Sequence, residues 1–191
     1  MKDLNIYMCG VGGQGIGLLA EVMLRACYKA GYDVKGVDTH GLAQRGGTVV
    51  SHLRIGKKIH TPLIPPGKAD IVIALERLEG ARAASEMLSE EGKIIYYDAQ
   101  YQTIGNRLGK FKYTSVEELE DTVKAKNGDS VRVFEEDLSD PRMQNVVLIK
   151  KIIELEWIPG MDTEKVSESL GELMKGKILE KNLELLNKEV K

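Results

Sequence analysis

The chain has 191 residues, with 42% apolar positions and a formal net charge of −2 from 27 lysines and arginines against 29 aspartates and glutamates. That length suffices for a substantial core, and the near-neutral balance gives no support to general nucleic-acid electrostatics. No apolar run approaches the roughly 20 residues of a membrane helix, and the opening "MKDLNIYMC" lacks the apolar centre of a secretory signal, so the expectation is a cytoplasmic protein with neither nucleic acid nor membrane as partner.

The chain order then reads as an α/β pattern. Leu4–Cys9 is a short apolar run ending in glycines, a first strand. Gly10–Gly15 make a turn. From Ile16, apolar residues recur at three- and four-residue spacing through Cys27, one face of a helix that Gly31 closes. "YDVKGVD" gives a second strand with Asp38 at its tip, completing a βαβ unit expected to be parallel. Thr48–Gly56 is rich in β-branched residues, and "KKIHTPLIPPG" follows with three prolines. This stretch predicts an antiparallel excursion from the parallel sheet.

Ala69–Glu76 has the apolar density of a central strand. "RLEGARAASEMLSEEG" predicts a helix with Leu78, Ala81, Ala84 and Leu88 on its packed side, and "KIIYYDA" a further strand. Ser115 and Glu118 form a capping-box pattern opening another helix. "SVRVFEE" is a strand and "NVVLIKKIIELEW" a helix packed on the sheet. Two more helical segments fill the C-terminal third. The expectation is a three-layer α/β/α fold, Rossmann-like, with a mixed, mostly parallel sheet, and one domain spanning residues 1–191.

Two stretches carry chemistry. "CGVGGQG" places Gly10, Gly12 and Gly15 in a G-x-G-x-x-G pattern between a strand and a helix, the context of a dinucleotide loop. Free amides at such a helix start favour a phosphate or carboxylate, and the long amide of Gln14 could donate to an anion or to a partner's backbone. Asp38 falls where a ribose-binding acid would sit. "DTHGLAQRGGTVVSH" is less ordinary. Arg45, between Gln44 and the pair Gly46-Gly47, combines a guanidinium with pliant backbone and suits a flat anion. The competing reading is an internal salt bridge. His40, His52 and His60 are too far apart in sequence for a common metal motif, so no metal site is expected. Cys9 and Cys27, the two cysteines, are too few to ligate an iron–sulfur cluster and read as buried thiols.

Together, "GVGGQG" and "DTHGLAQRGGTVVSHLRIG" resemble the gamma component of 2-oxoacid:ferredoxin oxidoreductases, and most closely the small subunit of the indolepyruvate-oxidising subgroup. "PLIPPGKADIVIALERLEGAR" and "GKILEKNLELLNKE" are similar to later parts of that subunit, so the likeness covers nearly the whole chain. The resemblance implies a subunit of an enzyme that oxidatively decarboxylates an arylpyruvate, with coenzyme A accepting the acyl group and ferredoxin the electrons. Thiamine diphosphate, Mg2+ and the iron–sulfur clusters would lie in the large subunit, and this chain would supply no catalytic residue of its own. Gly12, Gly13, Gln14, Gly15, His40, Gln44, Arg45, Gly46 and Gly47 are then the candidates to face a cofactor, coenzyme A or the large subunit. The rival readings are a stand-alone dinucleotide-dependent oxidoreductase and a non-enzymatic interaction domain.

With two cysteines, the chain purified alone under anaerobic conditions is expected to be colourless. Iron analysis checks this: stoichiometric iron, or bound thiamine diphosphate, would refute it.

Overall fold

The computed structural model describes residues 3–39, 47–101, 108 and 112–188. Six strands form one sheet: β1 (Leu4–Val11), β2 (Asp33–Thr39), β3 (Thr48–Gly56), β4 (Ala69–Ala74), β5 (Leu88–Tyr97) and β6 (Asp129–Val133). Their spatial order is β2-β3-β1-β4-β5-β6. β1, β4, β5 and β6 pair in parallel, whereas β3 runs antiparallel to both β1 and β2. The expected mixed, mostly parallel α/β fold is therefore present. The antiparallel excursion expected at Thr48 is β3, but its partners are β1 and the preceding β2, not the proline-rich stretch 57–68, which carries no strand; β3 is thus inserted between β1 and β2. Hence β2 keeps the direction of β1 but is not its neighbour.

Helices lie on both faces. Beneath one face, α1 (Ile16–Lys29), α4 (Gln144–Glu154) and α5 (Thr163–Leu173) bury Leu19, Met23, Ile149, Ile152 and Leu170 against Ile6, Met8, Leu53 and Ile73. α6 (Gly176–Asn187) adds Leu186 to the same core. On the other face, α2 (Arg77–Glu86) and α3 (Val116–Lys124) bury Ala83, Ala84, Leu119 and Val123 against Val72, Ile94 and Tyr96. Alternation along β1 serves both layers, with Ile6 and Met8 in one core and Cys9 in the other. The capping box at the start of α3 forms as the sequence predicts: Ser115 Oγ accepts from the Glu118 amide (3.1 Å), and Glu118 Oε2 from that of Ser115 (2.8 Å). No helix among the described residues is long and apolar enough to cross a membrane.

The segment around α2 departs from the sequence reading. The helix ends at Glu86, and Leu88 opens β5, pairing with Ala69. The ladder then skips from Leu88 to Lys93, with Glu91 in the left-handed region at φ 57°. The residues between them bulge out, and a bulge has no periodicity to betray it. The buried side of α2 runs through Arg77, Glu79, Gly80, Ala83 and Ala84; Ala81 packs partly buried on the same core, whereas Leu78 does not join it. Close helix–sheet approach decides this: a Cβ at Gly80 would come within 3.1 Å of the Ala74 Cβ.

The proline-rich stretch after β3 lies over the α2 side of the sheet. Ile64 is buried there, and its amide donates to Nδ1 of His52 (3.2 Å), whose ring meets Tyr7 edge-on at 5.0 Å. Burial lowers the His52 pKa from its ordinary 6.5, because the desolvated ring disfavours the cation. Protonation at Nδ1 would also remove the acceptor that Ile64 uses.

With the folded-state pKa depressed, the unfolded chain binds the proton first as pH falls below about 6.5, so stability should drop through that window and level off beneath the folded value. Urea titrations across pH should show this component in the wild type and not in His52→Gln. An unchanged pH profile in the variant would refute it.

Candidate functional site

The two stretches singled out in the sequence meet at the carboxyl end of β1. Val11 lies opposite Thr48 in the β1–β3 ladder, and β2 ends at Thr39, so both ends of the connection between β2 and β3 sit at this edge. The Gly12 amide donates to the Gly47 carbonyl at 2.9 Å. Gly12 and Gly47 are thereby joined directly. His40, Gln44, Arg45 and Gly46 lie outside the described residues.

Gln14 is turned inward. It is 3% exposed. Its Oε1 accepts from the Val11 amide (2.7 Å), and its Nε2 donates to the Leu75 carbonyl (2.9 Å) just beyond β4. The expected free amide, ready for an anion or a partner, is thus engaged by the chain's own backbone. A Cβ at Gly10 would lie 2.8 Å from Gln14 Oε1 and 3.1 Å from the Leu75 Cβ. Gly10 is glycine at a place where the Gln14 amide needs the room.

This matters because β1 and β4 are neighbours whose following helices, α1 and α2, pack on opposite faces. Such a switch point is where an open α/β sheet leaves a crevice for a ligand. Here Gln14 bridges the two strand ends across it. The acid expected at the ribose position is also engaged: Asp38 accepts a hydrogen bond from Ser51 Oγ, and its Oδ2 lies 3.8 Å from a Cβ built on Gly17, against the first turn of α1. The glycine pattern therefore serves internal closure, and the dinucleotide reading loses both its crevice and its acid.

Two loop glycines have left-handed backbone. Gly15 (φ 87°) precedes α1, and its carbonyl accepts from Asn145 Nδ2 on α4 at 3.0 Å. A Cβ there would press on that nitrogen at 2.9 Å. Gly13 (φ 102°) differs, since a Cβ there would meet nothing within 4 Å among the described residues. It is where the loop has open space beside it.

The root of the 40–46 connection is held from α2 as well. Arg82 bonds Glu79 (2.8 Å) and reaches Thr48 Oγ1 (3.5 Å). Burial raises the Glu79 carboxyl above its usual range. Glu76, 1% exposed at the tip of β4, caps α2 by accepting from the Glu79 amide (2.8 Å), and burial raises its pKa too. Further along the edge, Asp98 is shared by Arg77 (2.5 Å) and Arg132 (2.5 Å). The sequence reading did not select these charges. Their signal was a charged residue directly after an apolar strand, as in "ALER" and "YYDA". Cys9, 1% exposed, donates to the Glu79 carbonyl (3.5 Å), and burial followed by the charges of Glu79 and Glu76 pushes its thiol well above the ordinary range. Such surroundings disfavour the thiolate. Among the described residues, no group of three or more histidines, cysteines or carboxylates could hold a metal.

Fold and edge together define a mixed-sheet α/β protein whose dinucleotide-like loop is closed on itself. The chain belongs to the pyruvate ferredoxin/flavodoxin oxidoreductase family, whose model matches residues 5–189. It is 34% identical over 187 residues to indolepyruvate oxidoreductase subunit IorB of Archaeoglobus fulgidus, covering 96% of this chain and 92% of the relative. The subunit of the same name from Pyrococcus horikoshii is 30% identical over 197 residues, covering 100% and 96%. Among solved structures, pyruvate oxidoreductase subunit PORC of Thermotoga maritima superposes with a TM-score of 0.64 at 20% identity, covering 98% of this chain and 94% of that one. The 2-oxoglutarate:ferredoxin oxidoreductase of Magnetococcus marinus, solved with 2-oxoglutarate, coenzyme A and succinyl-CoA, gives 0.63 at 20% identity, covering 98% of this chain and 30% of the longer one. These two likenesses establish the fold. The family resemblance read from the sequence motifs is borne out.

Gln14→Ala is expected to strand the Val11 amide and the Leu75 carbonyl in a buried site, costing about 2–3 kcal/mol in urea unfolding. Gln14→Glu should be at least as damaging, because a carboxylate oxygen would then face the Leu75 carbonyl. Millimolar NAD or FAD should leave the wild-type melting temperature unchanged, whereas a ligand of the folded state raises it; a clear rise would restore the dinucleotide reading.

Proposed function

We propose that this chain is the small subunit of an arylpyruvate oxidoreductase of the indolepyruvate type. The observation that carries this reading is the match to subunits named for indolepyruvate oxidoreductase along almost the full length of both chains. In the assembled enzyme the 2-oxoacid loses its carboxyl group as carbon dioxide, coenzyme A takes the acyl group as an aryl-acetyl thioester, and the released electron pair passes to ferredoxin. Thiamine diphosphate with Mg2+, and iron–sulfur clusters, supply carbanion and electron-transfer chemistry from the large subunit. The small subunit works in the cytoplasm and is inactive alone.

Its own part is to present the connection between β2 and β3. Gly12 holds the Gly47 carbonyl, and Arg82 holds Thr48, so the root of residues 40–46 is fixed beside the open space at Gly13. Gly12, Gly13, Gly15 and Gly47 lie at the edge that would meet either coenzyme A or the large subunit near the thiamine site, and His40, Gln44, Arg45 and Gly46, outside the described residues, are proposed for the same contact. Gln14 supports that edge from within.

Coexpression with a candidate large subunit and an anaerobic assay of indolepyruvate, coenzyme A and a viologen dye tests the reading. The expected result is a brown complex that reduces the dye only when coenzyme A and both subunits are present. Arg45→Ala should lower turnover about ten- to a hundredfold, the worth of a charged hydrogen bond of roughly 1.5–3 kcal/mol made in the transition state. A rise confined to the coenzyme A KM would assign the contact to the thiol substrate, and loss of copurification would assign it to assembly. Dye reduction that ignores this subunit would refute the proposal.

A further inference from the structure

Among the described residues, β6 is an edge strand of the sheet. The Val133 carbonyl accepts from the Asp98 amide at 2.8 Å, so Val133 turns its backbone groups to β5. In a parallel ladder the facing residues alternate. Asp129 and Val131 share the phase of Val133, and Ser130 and Arg132 direct their N–H and C=O groups away from the sheet. An open edge of this kind is a template for another strand.

Alongside it runs a groove of about 910 Å³ between β6, α4 and α6. Val147, Leu185 and Phe134 give it apolar surface, and Phe134 is 56% exposed against the Tyr97 ring at 5.7 Å. The charges that line it are Arg132, Lys150, Lys151 and Lys188 against Glu135 and Glu154. Lys151 pairs with Glu154 (3.0 Å) and Lys188 with Glu135 (3.6 Å). Lys150 bonds a carbonyl, that of Lys188, and Arg132 pairs with Asp98, which it shares with Arg77. Among the described residues, positive charge is left over at the mouth of the groove.

We propose that the β6 edge and this groove take an extended, acidic segment of the large subunit, which adds to the sheet as a seventh strand. The backbone of Ser130 and Arg132 supplies the ladder, the apolar floor takes alternate side chains, and the surplus cations select a segment rich in carboxylates. The site lies beyond β6, on the far side of the sheet from the β2–β3 hairpin. The inference rests on the small-subunit reading, since it names the large subunit as the occupant.

Hydrogen exchange on the isolated chain and on the coexpressed complex tests it. The amides of Ser130 and Arg132 should exchange quickly in the free chain and become protected at least tenfold in the complex. Ser130→Pro removes an outward donor and leaves the β5 ladder intact, as edge strands allow; it should fold alone, yet be recovered with the large subunit in markedly lower yield. Lys150→Glu should slow association by about three- to tenfold at low salt, with the difference shrinking as salt rises. A complex that forms while both amides exchange as in the free chain would overturn the inference alone. Protection that grows with the concentration of the isolated chain would overturn it in favour of a second copy as the occupant. Absence of any complex would overturn the small-subunit reading and this inference together.

Discussion

The amide of Gln14 ties the two strand ends on which the candidate edge is built. It joins the end of β1 to the residue after β4 at the switch point of the sheet, the place where an open α/β fold is most inclined to admit a ligand. Filling that place with a side chain from the loop itself changes what the loop is for. The glycines retain the conformational freedom that a phosphate loop needs, but they use it to bring three pieces of chain together. Gly10 makes room for the Gln14 amide, Gly12 receives the β2–β3 connection, and Gly15 receives α4 through Asn145. A binding motif has become a junction.

Around that junction, charge is arranged to fasten segments. Glu76 caps α2, Glu79 with Arg82 reaches Thr48, and Asp98 is gripped by two arginines. Burial raises both glutamates, yet each already spends its oxygens on an amide or a cation of this chain. Perturbed carboxylates at the edge of a parallel sheet invite a catalytic reading. Here their partners supply a mechanical one, in keeping with the proposed small-subunit role.

Much of the layering was legible in the sequence because hydrophobic periodicity encodes which residues face a core. The Leu4 strand, the Ile16 helix, the β-branched Thr48 strand and the Ser115–Glu118 capping box all follow from local rules. Periodicity carries no information about strand neighbours, so nothing local revealed that β3 would separate β2 from β1. It also fails where packing selects small residues: α2 presents Gly80, Ala83 and Ala84 because the sheet lies too close for Leu78. At the candidate site, the glycine loop could be located but not assigned a use. A glutamine amide donates and accepts equally well inward or outward, and what turns Gln14 inward is the Leu75 carbonyl, 61 residues away in the chain.

The insertion of β3 has a consequence for how the polypeptide is made. β1 precedes both of its neighbours, β3 and β4, which end at Gly56 and Ala74. The nascent chain therefore carries an apolar strand with one backbone edge unpaired until β3 is made and the other until β4 is made. Exposed strands of this kind are where chains aggregate during folding. The hairpin of β2 and β3 is the pairing nearest in sequence in this region, and β3 is available to cover one flank of β1 before β4 is complete. An arrangement that looks like an interruption of a parallel sheet thus shortens the interval in which its central strand is unprotected.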